Sequence, residues 1–201
     1  MNFRLLAITI LAAGSTAFAH DSAPRASNKV LVCVDHSLND SDLGNAEVLA
    51  SEMFVRARVK LDWRDRPSPC RGIDNAIAID LVNSAPKDAS RTALAAANVS
   101  DDIHIAVFLD RIPRDSHGLH TVALAHVLVH EITHIIQGVP RHSETGVMKA
   151  RWTRDDYDEM RQRPLNFAPE DLELIRVGLA ARAARHTGAL QLVAAADTRT
   201  R

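Results

Sequence analysis

The sequence predicts an α+β domain in which a few helices pack on a small mixed β-sheet. Three observations carry that expectation. Short segments of alternating β-branched residues fill the first half of the chain. Helical periodicity fills the second half. Between them, around residue 130, lies a long stretch so apolar that it reads as a helix buried mid-domain.

Taken in order, VLVCVDH alternates β-branched residues and predicts a strand over 29–35. DSDLGNAEVLASEMFVRA places Leu43, Ala46, Leu49, Ala50, Met53 and Phe54 on helical spacing, with Asp40 or Ser41 as its cap. VKLDWR is a second strand, ended by the turn-rich DRPSPCRG. AIAIDLV, over 76–82, is a third. IHIAVFLDRI, over 103–112, is a fourth; Pro113 at its end suits a sheet edge, where a missing donor does little harm. The apolar helix runs from Leu119 to Gln137, with Gly138 placed for a left-handed cap and Pro140 preventing resumption. RDDYDEMRQ predicts a short polar helix and PEDLELIRVGLAARAARH a longer one with Pro169 near its start. LQLVAAADTRTR has no clear pattern, so residues 191–201 are expected to form a mobile tail after a domain spanning 29–190.

The chain has 201 residues. MNFRLLAITILAAGSTAFAH carries Arg4, an apolar run and Ala17-Phe18-Ala19, which fits a secretory signal peptide over 1–19 and a mature start at His20. A polar leader over 20–28 follows. The apolar run is too short for a comfortable membrane span, so no stable anchor is expected after cleavage. Export, to the periplasm or the exterior, is the expectation. A net charge of −1 and 4% aromatic residues exclude the basic, stacking surface that nucleic acid needs. In an oxidising compartment Cys33 and Cys70 are expected to pair as a disulfide, with two free buried thiols as the alternative. That bridge would contribute about 4 kcal/mol on the chain-entropy model. No pattern demands an oligomer, and a monomer is expected.

The chemistry concentrates in HEITHIIQGVPRHSETGVMKARW, residues 130–152. Side chains four apart on a helix lie one turn above each other, so His130 and His134 can aim both imidazoles at one point. Glu131, rotated by one residue, can reach a water at that point without ligating the metal itself. This is the geometric reason that H-E-x-x-H serves hydrolytic zinc: the metal acidifies a water and the glutamate takes its proton. A third ligand is required. His142 follows the glycine turn, while Glu144, Asp155, Asp156 and Glu159 are its competitors from the downstream segment. His126 continues the same helical face and reads as a satisfied core histidine or a partner of the ligands. His104, His117 and His120 have no ligand spacing. His20, once N-terminal, could grip copper through its amine and imidazole, but nothing else in the sequence supports that.

With those residues in view, HEITHIIQG…HSETGVMKARW resembles the metzincin clan of zinc metalloproteases, whose pattern is H-E-x-x-H-x-x-G-x-x-H followed by a methionine turn. His130, Glu131 and His134 match by position; Gly138 and His142 match in role, arriving one and two residues late. Met148 falls where the turn methionine belongs. The run over 126–152 is also similar to a group of exported bacterial proteins described as predicted zinc metalloproteases, in which H-S-x-x-G-[IV]-M-[KR]-A-x-W follows the helix. The resemblance implies a metzincin-like zincin fold, a three-histidine zinc site, Glu131 as general base and Met148 as a hydrophobic floor. It also implies a peptide or protein substrate laid along the strand IHIAVFLDRI, with Trp152 and Tyr157 near its pocket. Read as a whole, the chain is expected to be an exported zinc endopeptidase. An amidase acting on cell-wall peptides and a zinc-binding module without turnover are the rivals.

Overall fold

Among the described residues, alternate apolar residues on five strands point to one side of the sheet, and that side carries the core. The computed structural model describes residues 28–35, 42–65, 73, 76–98 and 103–197. The strands are β1 (Lys29–Asp35), β2 (Lys60–Asp65), β3 (Ile77–Val82), β4 (Ala95–Asn98) and β5 (His104–Phe108). Their spatial order is β2-β1-β3-β5-β4, parallel throughout except for the antiparallel β4–β5 pair. Val30, Val32 and Val34 of β1, Ile77 and Ile79 of β3, and Ile105 and Val107 of β5 are buried on the inner face. The period-2 pattern that identifies the strands also sets the register, because a one-residue slip would expose this whole set.

On that face lie α1 (Leu43–Arg56) and α2 (Leu119–Gln137). In α2, Leu124, Leu128, Ile132 and Ile136 recur every fourth residue and are fully buried, each contributing about 2 kcal/mol. This helix is long and apolar enough to cross a bilayer, but most of it is buried inside the domain, as a core helix is. α3 (Arg154–Gln162) and α4 (Pro169–Asp197) pack on its far side. Thr153 and Asp156 form a capping box that starts α3.

Three expectations need correction. β4 has no counterpart in the sequence reading: AAAN lacks the β-branched residues that mark strands, and pairing with β5 alone makes it one. The fourth expected strand ends at Phe108, where a turn begins before Pro113. It is flanked by β3 and β4, so the sheet edge belongs to β4. Finally, α4 continues to Asp197, past the expected boundary at 190. Its alanine-rich end needs no apolar period to be helical, because alanine has the strongest helix propensity. The signal segment, His20, most of the leader, both proposed α1 caps and Cys70 lie outside the described residues. Cys33 is fully buried on β1, but its pairing with Cys70 therefore lies outside them as well.

Candidate metal centre

The periodicity that buries α2 also turns His130 and His134 toward one point. Their rings stand 4.7 Å apart, and the two Nε2 atoms are separated by 3.1 Å. His130 Nδ1 donates to the carbonyl of Val147 at 2.9 Å, and His134 Nδ1 donates to that of Val139 at 3.3 Å. A carbonyl only accepts, so each Nδ1 carries the hydrogen and each Nε2 presents a lone pair. Burial keeps both imidazoles neutral, lowering His130 to about 4 and His134 in the same direction. Two lone pairs this close repel unless a cation lies between them.

His142 completes the group. Its ring centroid is 5.2 Å from that of His130 and 4.9 Å from that of His134. One ligand nitrogen from each histidine lies within 4.8 Å of the others. Among the described residues this is the one group of three or more His, Cys, Asp or Glu side chains that could hold a metal ion. Tetrahedral zinc, with Zn–N bonds of 2.0–2.1 Å, sets its ligand nitrogens about 3.3 Å apart. Three neutral imidazoles, two of them oriented by backbone carbonyls, fit that ion. The competing acids are not in the group, and two of them have cationic partners. Asp156 accepts from Lys149 at 2.6 Å and from the start of α3, while Glu159 accepts from Arg163 at 3.1 Å.

The segment that delivers His142 is clamped on both sides. Gly138 takes the left-handed conformation, φ 69°, and its N–H closes α2 on the His134 carbonyl. Residues 139–141 then bring the chain back. Arg141 and Ser143, the two neighbours of His142, both donate to Oδ1 of Asp171, at 3.2 and 2.6 Å. The other oxygen of Asp171 accepts from Ala168 N at 3.1 Å, at the start of α4. This carboxylate is fully buried. Beyond it, Ser143 N donates to Met148 O at 2.8 Å, closing the turn that holds Val147 against His130. Gly146 makes the turn possible: φ is +75°, and a Cβ there would sit 2.1 Å from the Asn166 carbonyl oxygen. Met148 is fully buried in the core.

Glu131 stands beside the three histidines, half-buried, with its carboxyl pushed up to about 7 by desolvation. A carboxyl at that value can take and return a proton near neutral pH. Glu131 and the histidines open onto a cleft of ≈ 540 Å³. Thr92 to Ala97, leading into and through β4, form one wall of it; Lys149 to Trp152 and Tyr157 form another. Trp152 stacks edge-on against His130, at 5.7 Å, and against Tyr157, at 6.2 Å.

His126 belongs to the core. Its Nδ1 donates to Val122 O at 2.6 Å, its Nε2 accepts from Leu165 N at 3.0 Å, and burial lowers it to about 4. His104 pairs with Asp80 at 2.7 Å on the outer sheet face. His117 and His120 stand at the start of α2, outside the histidine group. Sequence reasoning missed Asp171, the carbonyls of Val139 and Val147, and the β4 wall. Asp171 looks like an ordinary acid in the first turn of a helix, and backbone acceptors leave no trace in side-chain identity.

A buried helix presenting two histidines and a glutamate, a third histidine after a glycine turn, and a cleft walled by a sheet edge make a site able to hold a metal ion. No protein-family model matches the chain, and no curated protein is significantly similar to it. Solved structures do match. The crystal structure of archaemetzincin from Methanopyrus kandleri aligns with a TM-score of 0.58 and 17% identity, over 78% of this chain and 98% of that one. Archaemetzincin from Archaeoglobus fulgidus, complexed with malonate, aligns with a TM-score of 0.48 and 17% identity, over 73% and 99%. The chain thus has the fold of the Methanopyrus archaemetzincin, a metzincin-like zincin fold.

Proposed function

We propose that this chain is an exported zinc-dependent endopeptidase. The observation that carries the reading is the convergence of three imidazole nitrogens beside Glu131, on the floor of a cleft walled by a sheet edge. His130, His134 and His142 would hold the ion. Zinc bound there supplies Lewis-acid polarisation of the scissile carbonyl and acidifies an attacking water.

The chain's own residues do the rest. Glu131 takes the proton from the attacking water and returns it to the leaving amine nitrogen, the role its raised pKa suits. Among the described residues β4 is the outermost strand on its side of the sheet and pairs with β5 alone. Its outer edge offers backbone donors and acceptors to an extended peptide. On this reading the peptide lies along β4, one strand outward from the strand that the resemblance implied. Trp152, Lys149 and Tyr157 close the opposite side.

Metal content and turnover together test the reading. The mature chain should hold one zinc, keep it in Glu131→Gln and lose it in His142→Ala, with peptide cleavage lowered about 10²-fold or more in the first variant and absent from the second. Zinc retained without any cleavage by the Glu131-intact protein would indicate a binding module instead. Export with cleavage after residue 19 would give an intact mass starting at His20, and that mass is the expected result. Reduction of that species should add two hydrogens if Cys33 and Cys70 are paired.

A further inference from the structure

Two cations line the same wall of the cleft, two residues apart, and their charges are held differently. Lys149 is neutralised: its Nζ lies 2.6 Å from Oδ2 of Asp156, a carboxylate already built into the start of α3. Arg151 is not. Its Nη2 donates to the hydroxyl of Thr92 at 3.2 Å, and among the described residues it has no carboxylate partner. Glu131 is the one carboxylate on the cleft lining among the described residues. Beyond that proton-handling group, the cleft therefore carries a cation with no anion assigned to it.

The position of this cation is set from both sides. Arg151 follows the turn that holds Val147 against His130. Thr92 precedes β4, on a segment fixed by Arg111, whose Nη1 donates to the Ala93 carbonyl at 2.8 Å. The Arg151–Thr92 hydrogen bond thus joins the two walls between which a peptide would lie. A neutral hydroxyl is a weak partner for a guanidinium. A carboxylate offers charge-assisted, bidentate bonds that are about twice as strong. An arriving anion would take the guanidinium from Thr92.

We infer that Arg151 is a recognition site for a substrate carboxylate, so that this cleft selects peptides carrying an acidic group that reaches the Arg151 wall. The inference rests on the peptidase reading for the word substrate, but not for the binding itself. Two sources supply the same chemistry: an Asp or Glu side chain, or the peptide's own C-terminus. Because Arg151 is solvent-exposed, the selectivity should be moderate, about 5- to 10-fold between a Glu peptide and its Gln counterpart.

Binding separates this inference from turnover. Zinc-loaded Glu131→Gln protein, with and without Arg151→Gln, is titrated with fluorescent peptides in three forms: internal Glu with an amidated end, internal Gln with an amidated end, and internal Gln with a free C-terminus. Glu131 is absent from both proteins, so its effect cancels. One of the two carboxylate peptides should bind about 5- to 10-fold tighter than the amidated Gln peptide. The preference should shrink with added salt and disappear in Arg151→Gln. Whichever carboxylate is preferred identifies the source. Thr92→Val, which frees the guanidinium, should keep or raise the preference. Equal binding of all three peptides, or a preference unchanged by Arg151→Gln at an unaltered melting temperature, would overturn the inference. Cleavage by the Glu131-intact protein is measured in parallel. A charge preference in binding with no zinc-dependent cleavage would sink the peptidase reading while leaving the carboxylate site standing.

Discussion

Asp171 touches none of the ligands, yet the geometry makes it the support of the third one. Replacing it with Asn keeps the volume and one acceptor oxygen but removes the charge and turns the second oxygen into a donor. Three contacts are affected. Ser143 at 2.6 Å is a buried hydrogen bond to a charge, and a neutral acceptor forfeits about half of its roughly 1.5–3 kcal/mol. Ala168 N at 3.1 Å would face an NH₂ group, leaving a buried donor unmet at about 1–3 kcal/mol. Arg141 has a 40% exposed side chain, so its ion pair adds less than about 1 kcal/mol. The sum is about 3 kcal/mol, a large loss for a marginally stable domain but one that leaves it folded. The clamp also holds both neighbours of His142, so zinc affinity should fall about 10- to 100-fold. Urea denaturation of the metal-free protein and chelator competition on the loaded protein read the two effects separately. Ser143→Ala tests the division: it spares the α4 start, so it should weaken zinc binding with a smaller loss of stability. Wild-type zinc affinity in Asp171→Asn would refute the reasoning. The carboxylate would then serve only the start of α4, and the His142 loop would be held by something else.

Other consequences can be checked alongside. Glu131→Gln should retain zinc and lose about 10²- to 10⁴-fold in kcat, the usual worth of a general base; cleavage at the wild-type rate would remove Glu131 from the mechanism. Gly146→Ala forces a side chain onto the Asn166 carbonyl at positive φ. It should cost about 2 kcal/mol or more and loosen His130 through Val147, seen as a lower melting temperature together with weaker zinc binding. His126 sets a pH dependence. Its folded pKa is about 4 against an ordinary 6.5, so between those values the unfolded chain binds the proton and the folded chain does not. Stability is therefore full above about 6.5 and falls as pH drops toward 4, by about 3 kcal/mol for this group. His126→Gln should flatten the fall in the urea midpoint over that interval, and an unchanged slope would show that His126 is not its source.

Much of this protein is legible in its sequence because two periods, 2 and 3.6, record which side of each element is buried. Val30, Val32 and Val34 mark β1, and Leu124, Leu128, Ile132 and Ile136 mark α2. The H-E-x-x-H spacing follows from the same helical geometry, so His130, Glu131 and His134 could be read directly. His142 could be preferred over the nearby acids as a neutral imidazole at a glycine turn, but its distance from the helix departs from the metzincin pattern and a loop path has no period, so only the fold shows it beside His130 and His134. What only the tertiary structure decided is everything that depends on partners distant in the chain. β4 is a strand because β5 is beside it, not because AAAN prefers to be one. The sheet edge moved outward with it, and so did the wall of the cleft. Asp171 lies far along the chain from His142 and became its support only when α4 folded back onto α2. Arg151 gained its place opposite Thr92 in the same way. Local propensity and spacing are properties of neighbouring residues and survive in the sequence; which carbonyl meets an imidazole, or which carboxylate meets a loop, is a long-range packing result that no local pattern encodes.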